Sequence, residues 1–132
     1  MIITSKENSL LKTIVKLKEK KYRDEFNKYV VEGYRAVKDS LPFLSEPQLL
    51  LSESACEKFA SYFEGKTLNV CADNLFDRVC DTENAQGVMC VAEKKNVVPD
   101  YKAEYVLLLD RIRDPGNMGT IIRTALATGF TD

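Results

Sequence analysis

A layered α/β fold with a mainly parallel sheet is what this sequence predicts. Two observations carry it. Short apolar runs alternate along the chain with helical segments bounded by capping residues, glycine and proline. The connecting helices are of a length that suits right-handed crossovers. Composition agrees: 132 residues at 45% hydrophobic and 30% charged form an ordinary core and are too apolar for a disordered chain.

Each element follows from local chemistry. Thr4 and Glu7 fit a capping box, and Asn8 is a second candidate cap. Leu10, Leu11, Ile14, Val15 and Leu17 then recur at helical spacing, with lysines filling the other face, so a helix is expected to run to about Lys21. Tyr29–Val31 is a short strand, and Glu32 stands where it gives way to Gly33. A helix through Arg35 to Ser40 is stopped by Pro42. Leu49–Leu51 is the next strand; Ser52 or Ser54 caps the helix Ala55–Phe63, and Gly65 closes it. Leu68–Ala72 is a third strand, Asp73 caps a helix through Val79, and Gly87–Ala92 is a fourth strand. Residues 1–93 thus make one unit. The polar, proline-bearing stretch 94–103 reads as a linker, and 104–132 as the start of a second domain.

Charge is uneven. Residues 1–40 hold ten Lys/Arg and six Asp/Glu, a net of +4; the rest hold nine and fourteen, a net of -5. A polyanion would meet the N-terminal part first, although lysines on a solvated helix face account for the same count. Cys56, Cys71, Cys80 and Cys90 form no close pair and there is no histidine, which argues against a zinc site. Cys71 and Cys90 lie in apolar runs and read as small core residues, so a reduced cytoplasmic protein is expected. No stretch approaches the roughly twenty apolar residues of a membrane helix, and the N-terminal residues do not read as a signal peptide.

The densest information lies in 105–130. Tyr105–Leu109 reads as a strand buried on both faces. Asp114-Pro115-Gly116-Asn117 is a turn, with Asn117 as the cap of a helix running to Thr128 and Gly129 as its C-terminal stop. Ile121, Ile122, Ala125 and Leu126 form its expected buried side. Gly119 removes bulk on the face it shares with Arg123, one turn on. Arg123 has two readings: a helix arginine paired with a carboxylate, or a guanidinium held beside a glycine-made opening to meet a phosphate or an oxygen nucleophile. Dinucleotide, P-loop and nucleophile-elbow patterns are all absent from the sequence. This second strand–helix pair cannot close a layer alone; it docks on the first unit or belongs to a domain that continues.

The run Asp114-Pro115-x-Asn117-x-Gly119-x-x-x-Arg123-Thr124-Ala125 resembles the first signature motif of the SpoU-type (TrmH-like) RNA 2'-O-ribose methyltransferases of the SPOUT superfamily. Thr4-Ser5, Asn8 and Lys12 resemble the opening of that family's substrate-binding domain. Phe26 with Val30-Val31-Glu32-Gly33, and Thr82-x-x-x-Gln86-Gly87 with Ala85 where proline is commoner, resemble two further elements of it. The resemblance covers essentially the whole chain.

It implies a substrate-binding domain built like the ribosomal proteins that grip kinked RNA, then the first strand–helix unit of a trefoil-knot methyltransferase domain. It implies S-adenosyl-L-methionine as methyl donor, RNA as substrate with ribosomal RNA preferred, and a homodimer formed through the knot. Arg123 matches the arginine credited with activating the ribose hydroxyl, Asn117 the asparagine of the same motif, and Glu32 a supporting glutamate. Glu32 reads equally well as a helix cap or a lysine partner. RNA is expected on Lys12, Lys16, Arg23 and Arg35, with backbone amides around Gly33. The family's second and third motifs have no counterpart here. The chain is therefore expected to be part of a longer enzyme, inactive alone and without donor-binding residues. A stand-alone RNA-binding module is the main alternative, and an unrelated α/β protein a distant third.

Overall fold

A computed structural model describes residues 2–82, 86–98 and 102–130. Ala85, and Pro99 to Tyr101 of the expected linker, lie outside the described residues. The chain divides into two compact units, 1–95 and 96–132, each taken by itself below.

The first unit holds one sheet of five strands: β1 (Ile2–Ile3), β2 (Lys28–Glu32), β3 (Gln48–Ser52), β4 (Leu68–Cys71) and β5 (Val88–Glu93). Their order is β1-β4-β3-β5-β2. β4 pairs in parallel with β1 and β3, whereas β5 runs antiparallel to both β3 and β2. The sheet is mixed, not mainly parallel. The reason is the end from which β5 is entered: Glu32, the last residue of β2, already holds Cys80 to Thr82 there, and the Gly87 carbonyl accepts from the amide of Ser52, the last residue of β3. Val88 therefore pairs with Leu51, the penultimate residue of β3, and β5 starts where its neighbours end. Apolar patterning sets which residues are strands; it carries no information on which way they run. β1, too short for a periodic signal, was not anticipated.

Side chains of alternate strand residues point to opposite faces, and each face has its own core. Leu50, Cys71, Met89 and Val91 meet Leu11, Ile14 and Leu17 from helix α1 (Ser9–Leu17) and Leu75, Phe76 and Val79 from α5 (Asp73–Val79). On the other side Leu49, Leu51, Val88 and Cys90 meet Val37 from α3 (Tyr34–Ser40), Ala55 from α4 (Glu53–Phe59) and Phe63 from the 3-10 turn after it. The unit is a three-layer sandwich. Burying each large apolar side chain contributes about 1.5–3 kcal/mol.

Asn8 caps α1: its Oδ1 accepts from the amides of Leu10 and Leu11 at 2.9 and 3.4 Å. The capping box is not formed, because the helix starts at Ser9, beyond both Thr4 and Glu7; Glu7 pairs with Lys12. Nor does the helix reach Lys21. It stops at Leu17, Glu19 is extended (φ -88°, ψ 135°), and α2 (Lys20–Glu25) begins afresh. Arg23 donates to the carbonyls of Leu17 and Lys18 at 2.9 and 2.6 Å, closing the end of α1. Lysine-rich sequence would continue the helix; packing of α2 against β2 and α1 overrides that preference.

In the second unit α6 spans Pro115–Ala127. Its cap is Asp114, not Asn117: Asp114 Oδ1 accepts from the Asn117 amide at 2.6 Å, and Pro115 takes the first helical position. At the other end the Phe130 amide reaches the Ala125 carbonyl at 3.0 Å and the Gly129 amide the Leu126 carbonyl at 3.3 Å. Gly129 has φ +93°, the left-handed residue this closure requires. Tyr105–Leu109 is not a strand. A strand needs a neighbour to pair with, and the described residues of this unit contain none. Leu108 is accordingly 88% exposed, and Ile122 and Leu126 of the expected buried side also face solvent within the chain as it stands.

Two glycines separate backbone strain from steric exclusion. Both have positive φ (Gly65 +75°, Gly87 +71°), but a Cβ on Gly65 meets nothing, while on Gly87 it falls 2.5 Å from Ala55 Cβ. Gly65→Ala is expected to cost about 1 kcal/mol of unfolding free energy. Gly87→Ala should cost at least about 2 kcal/mol, overpacking adding to strain. Urea unfolding measures both; equal losses would show that the contact at Gly87 relaxes freely.

Candidate functional site

The carboxyl ends of β2, β3 and β4 meet the start of β5 at one end of the sheet, where open α/β sheets place ligands. Three hydrogen bonds tie this end together. The Ser52 amide donates to the Gly87 carbonyl at 2.9 Å and the Gly33 amide to the Val88 carbonyl at 2.8 Å. The Tyr34 amide donates to Gln86 Oε1 at 2.8 Å. Asp73 accepts from the Ser54 amide and hydroxyl at 3.1 and 2.9 Å, and those bonds hold its carboxyl below the usual carboxylate range. A cavity of about 390 Å³ opens here, lined in part by Ser52, Lys58, Phe59, Asp73, Gln86 and Gly87.

Glu32 is neither a helix cap nor a lysine partner. Its carboxylate takes the chain that follows α5: the Cys80 thiol at 2.6 Å, the Thr82 hydroxyl at 2.5 Å, and the amides of Asp81 and Thr82 at 3.2 Å. Burial alone would raise its pKa; the bonds from Cys80, Thr82 and the two amides outweigh it and hold the carboxyl below its ordinary value. Burial, and then the carboxylate beside it, push the Cys80 thiol up. The partners lie about fifty residues away in sequence, beyond the reach of any local pattern.

The expected RNA contacts are differently placed. Gly33 has φ +97°, a conformation side chains rarely adopt, and its amide and that of Tyr34 are both satisfied inside the protein. Arg23 is committed to the end of α1. Lys12 pairs with Glu7, and Lys16 lies 5.6 and 5.7 Å from the Tyr22 and Phe26 rings. Both lysines border an apolar groove of about 380 Å³ between α1 and α5, together with Lys6 and Arg78. Arg35 stands exposed on α3. Patterning missed an aromatic group at the surface: Tyr34, Phe59 and Tyr62, with Lys38 beside them. Tyr34 immediately follows the Glu32-Gly33 motif, the one signal that pointed there.

Arg123 folds back along α6. Its nearer terminal nitrogen lies 3.1 Å from where a Gly119 Cβ would sit, so glycine makes the space the guanidinium occupies. Thr120 steadies it at 3.3 Å while donating to the Gly116 carbonyl at 2.9 Å. No carboxylate pairs with Arg123 among the described residues, and the side chain is exposed. Asn117 contributes its amide to the cap; its side chain makes no hydrogen bond among the described residues.

The four cysteines are free thiols, and burial pushes those of Cys71 and Cys90 up to about 11. Among the described residues no group of three or more histidine, cysteine or carboxylate side chains is placed to hold a metal ion. No helix among them is long and apolar enough to cross a membrane.

The Glu32 bonds should make stability depend on pH in a definite direction. A carboxyl whose folded pKa is depressed adds stability above its ordinary value of 4.5, lost as pH falls through the lower folded value. Glu32→Gln is expected to reduce stability near neutrality and to flatten the decline between about pH 5 and about pH 3. Urea midpoints across that range test it; an unaltered acid limb would show that Glu32 is not its source.

The comparisons with known proteins agree with this architecture. The family model of the MRM3-like substrate binding domain matches residues 8–90. The 23S rRNA (guanosine(2553)-2'-O)-methyltransferase RlmP of Bacillus subtilis is 32% identical over 97% of this chain and 51% of its own. The mitochondrial rRNA methyltransferase 3 of Xenopus laevis is 32% identical over 93% of this chain and 32% of its own. A crystal structure of an rRNA methyltransferase from Sinorhizobium meliloti superposes with a TM-score of 0.71 at 32% identity, over 99% of this chain and 52% of that one. The chain thus spans between about a third and about half of these relatives' length. With most of its residues matched by one family model, it belongs to the MRM3-like substrate-binding domain family.

Proposed function

We propose that this chain is the RNA-gripping domain and the opening of the catalytic domain of an RNA 2'-O-ribose methyltransferase. Its substrate is ribosomal RNA, its methyl donor S-adenosylmethionine, and the longer protein works as a cytoplasmic homodimer. Residues 1–93 bind RNA; 104–132 begin the domain that carries the chemistry. The names of the relatives support the reaction class. The observation that carries the reading is Arg123: an exposed guanidinium on a doubly capped helix, lodged against Gly119 and bonded only to Thr120 among the described residues.

A ribose 2'-hydroxyl is a weak nucleophile. It must be aligned with the group it attacks and must shed its proton as the bond forms. A guanidinium is a poor proton acceptor, so Arg123 does not serve as the base. It stabilises the negative charge that grows on the oxygen, or fixes the adjoining phosphate that orients the sugar. Asn117 holds the turn through its amide, and Glu32 acts at a distance by fixing residues 80–82 at the RNA-binding end of the sheet. The basic residues Lys12, Lys16 and Arg35 supply phosphate contacts.

The residues present do not fit the methyl donor. Leu108 is 88% exposed and residues 105–109 have no apposed strand among the described residues, so this stretch forms no walled site for an adenosine. The donor's site is assigned to the part of the relatives' length that this chain does not span. A stand-alone RNA-binding module would have no use for the capped helix that carries Arg123.

The test is methylation of total RNA by the protein encoded in the full reading frame. Arg123→Ala should lower kcat by about 100- to 1,000-fold, the range for loss of one charge-stabilising donor, with RNA affinity little changed. An alanine variant as fast as its parent would remove Arg123 from the mechanism. Absence of any ribose-methylated product from the parent would overturn the proposed function itself.

A further inference from the structure

We propose that Tyr62, backed by Tyr34 and Phe59 and flanked by Lys38, is a stacking post for an unpaired RNA base. The proposal deepens the RNA-binding reading above and rests on it. Tyr34 is the first residue of α3, and Lys38 lies one turn further along the same face. The Tyr34 ring stacks on Phe59 with centroids 4.4 Å apart and planes 15° from parallel. It meets Tyr62 edge-on at 5.3 Å and Phe63 at 6.3 Å. Phe63 is fully buried, and Tyr34 and Phe59 pack against the same core, so the outer ring rests on a fixed base.

Tyr62 itself is 56% exposed. Neither its hydroxyl nor that of Tyr34 makes a hydrogen bond among the described residues, so the surface they offer is set by the rings. The Lys38 ammonium lies 4.9 Å from the Tyr62 ring centroid and 5.6 Å from that of Tyr34. It forms no ion pair among the described residues, although Asp39 is its neighbour in sequence. An exposed aromatic ring with an ammonium held over it, paired with no carboxylate among the described residues, matches one nucleotide of a single strand: the base stacks on the ring and the phosphate meets the lysine. A continuous duplex offers no free base face and is not a ligand for such a post. An apolar protein segment would use the ring without needing the lysine.

The test compares binding of the full-length protein to a labelled oligoadenylate of about a dozen nucleotides and to a continuous RNA duplex. Tyr62→Ala should weaken single-strand binding by about 5- to 150-fold and leave duplex binding unchanged. Tyr62→Phe, which keeps the ring, should stay within about twofold of the parent. Lys38→Gln should weaken single-strand binding and lower its salt dependence by about one phosphate contact. Single-strand binding by the alanine variant equal to the parent's would overturn the post. So would an equal loss in the phenylalanine variant, which would mean a hydroxyl contact, or an equal loss on duplex. A lysine substitution without effect would mark an apolar protein surface instead. If the parent binds neither RNA, the functional reading fails and the post with it; if the parent binds and methylates while only the tyrosine results fail, the post alone falls. Urea midpoints of the variants show that each is folded.

Discussion

The placement of β5 governs this structure. It lies between β3 and β2, antiparallel to both, and supplies buried residues to the cores on both faces. It is entered from the end of the sheet where β2 and β3 finish. There Glu32 holds Cys80 to Thr82 through four donors, and Gly87 lies against Ser52. Antiparallel pairing on both sides satisfies the backbone groups of this buried strand, and one carboxylate and one bare backbone position hold the chain near where the strand begins.

Much of the fold was legible because the responsible forces are local. The continuous apolar runs Leu49–Leu51 and Val88–Ala92 mark strands that face two cores, and of the two serines offered as the cap of α4 it is Ser52 whose hydroxyl accepts from the Ala55 amide. What was not legible has a common cause. The direction of β5, the break after Leu17 and the fate of residues 105–109 are decided by which neighbour is present to pair or pack. Lys18 to Lys21 have every local reason to continue a helix, and Tyr105 to Leu109 every local reason to extend. The first is overruled by packing of α2 on β2; the second lacks a partner strand among the described residues.

The candidate site divides along the same line. Arg123 with Gly119 was readable because residues four apart on a helix are neighbours, and the contact is a consequence of that spacing. The cap is Asp114 and not Asn117, two residues that compete for the same role with similar chemistry. Glu32 could be flagged at a strand end, but its partners at Cys80 to Thr82 come from a different part of the chain. Arg23 shows what composition hides: a basic residue in a basic region that donates to the two carbonyls closing α1.

The two ends of α6 are closed by residues that adjoin it, Asp114 and Pro115 before, Gly129 and Phe130 after. Nothing distant in sequence is needed to place the guanidinium against Gly119. Such short-range closure forms early, on the timescale of loop contacts and not of a global search. As a nascent chain leaves the ribosome, this corner can take shape from its own neighbours, with the arginine in place before any longer-range contact is made.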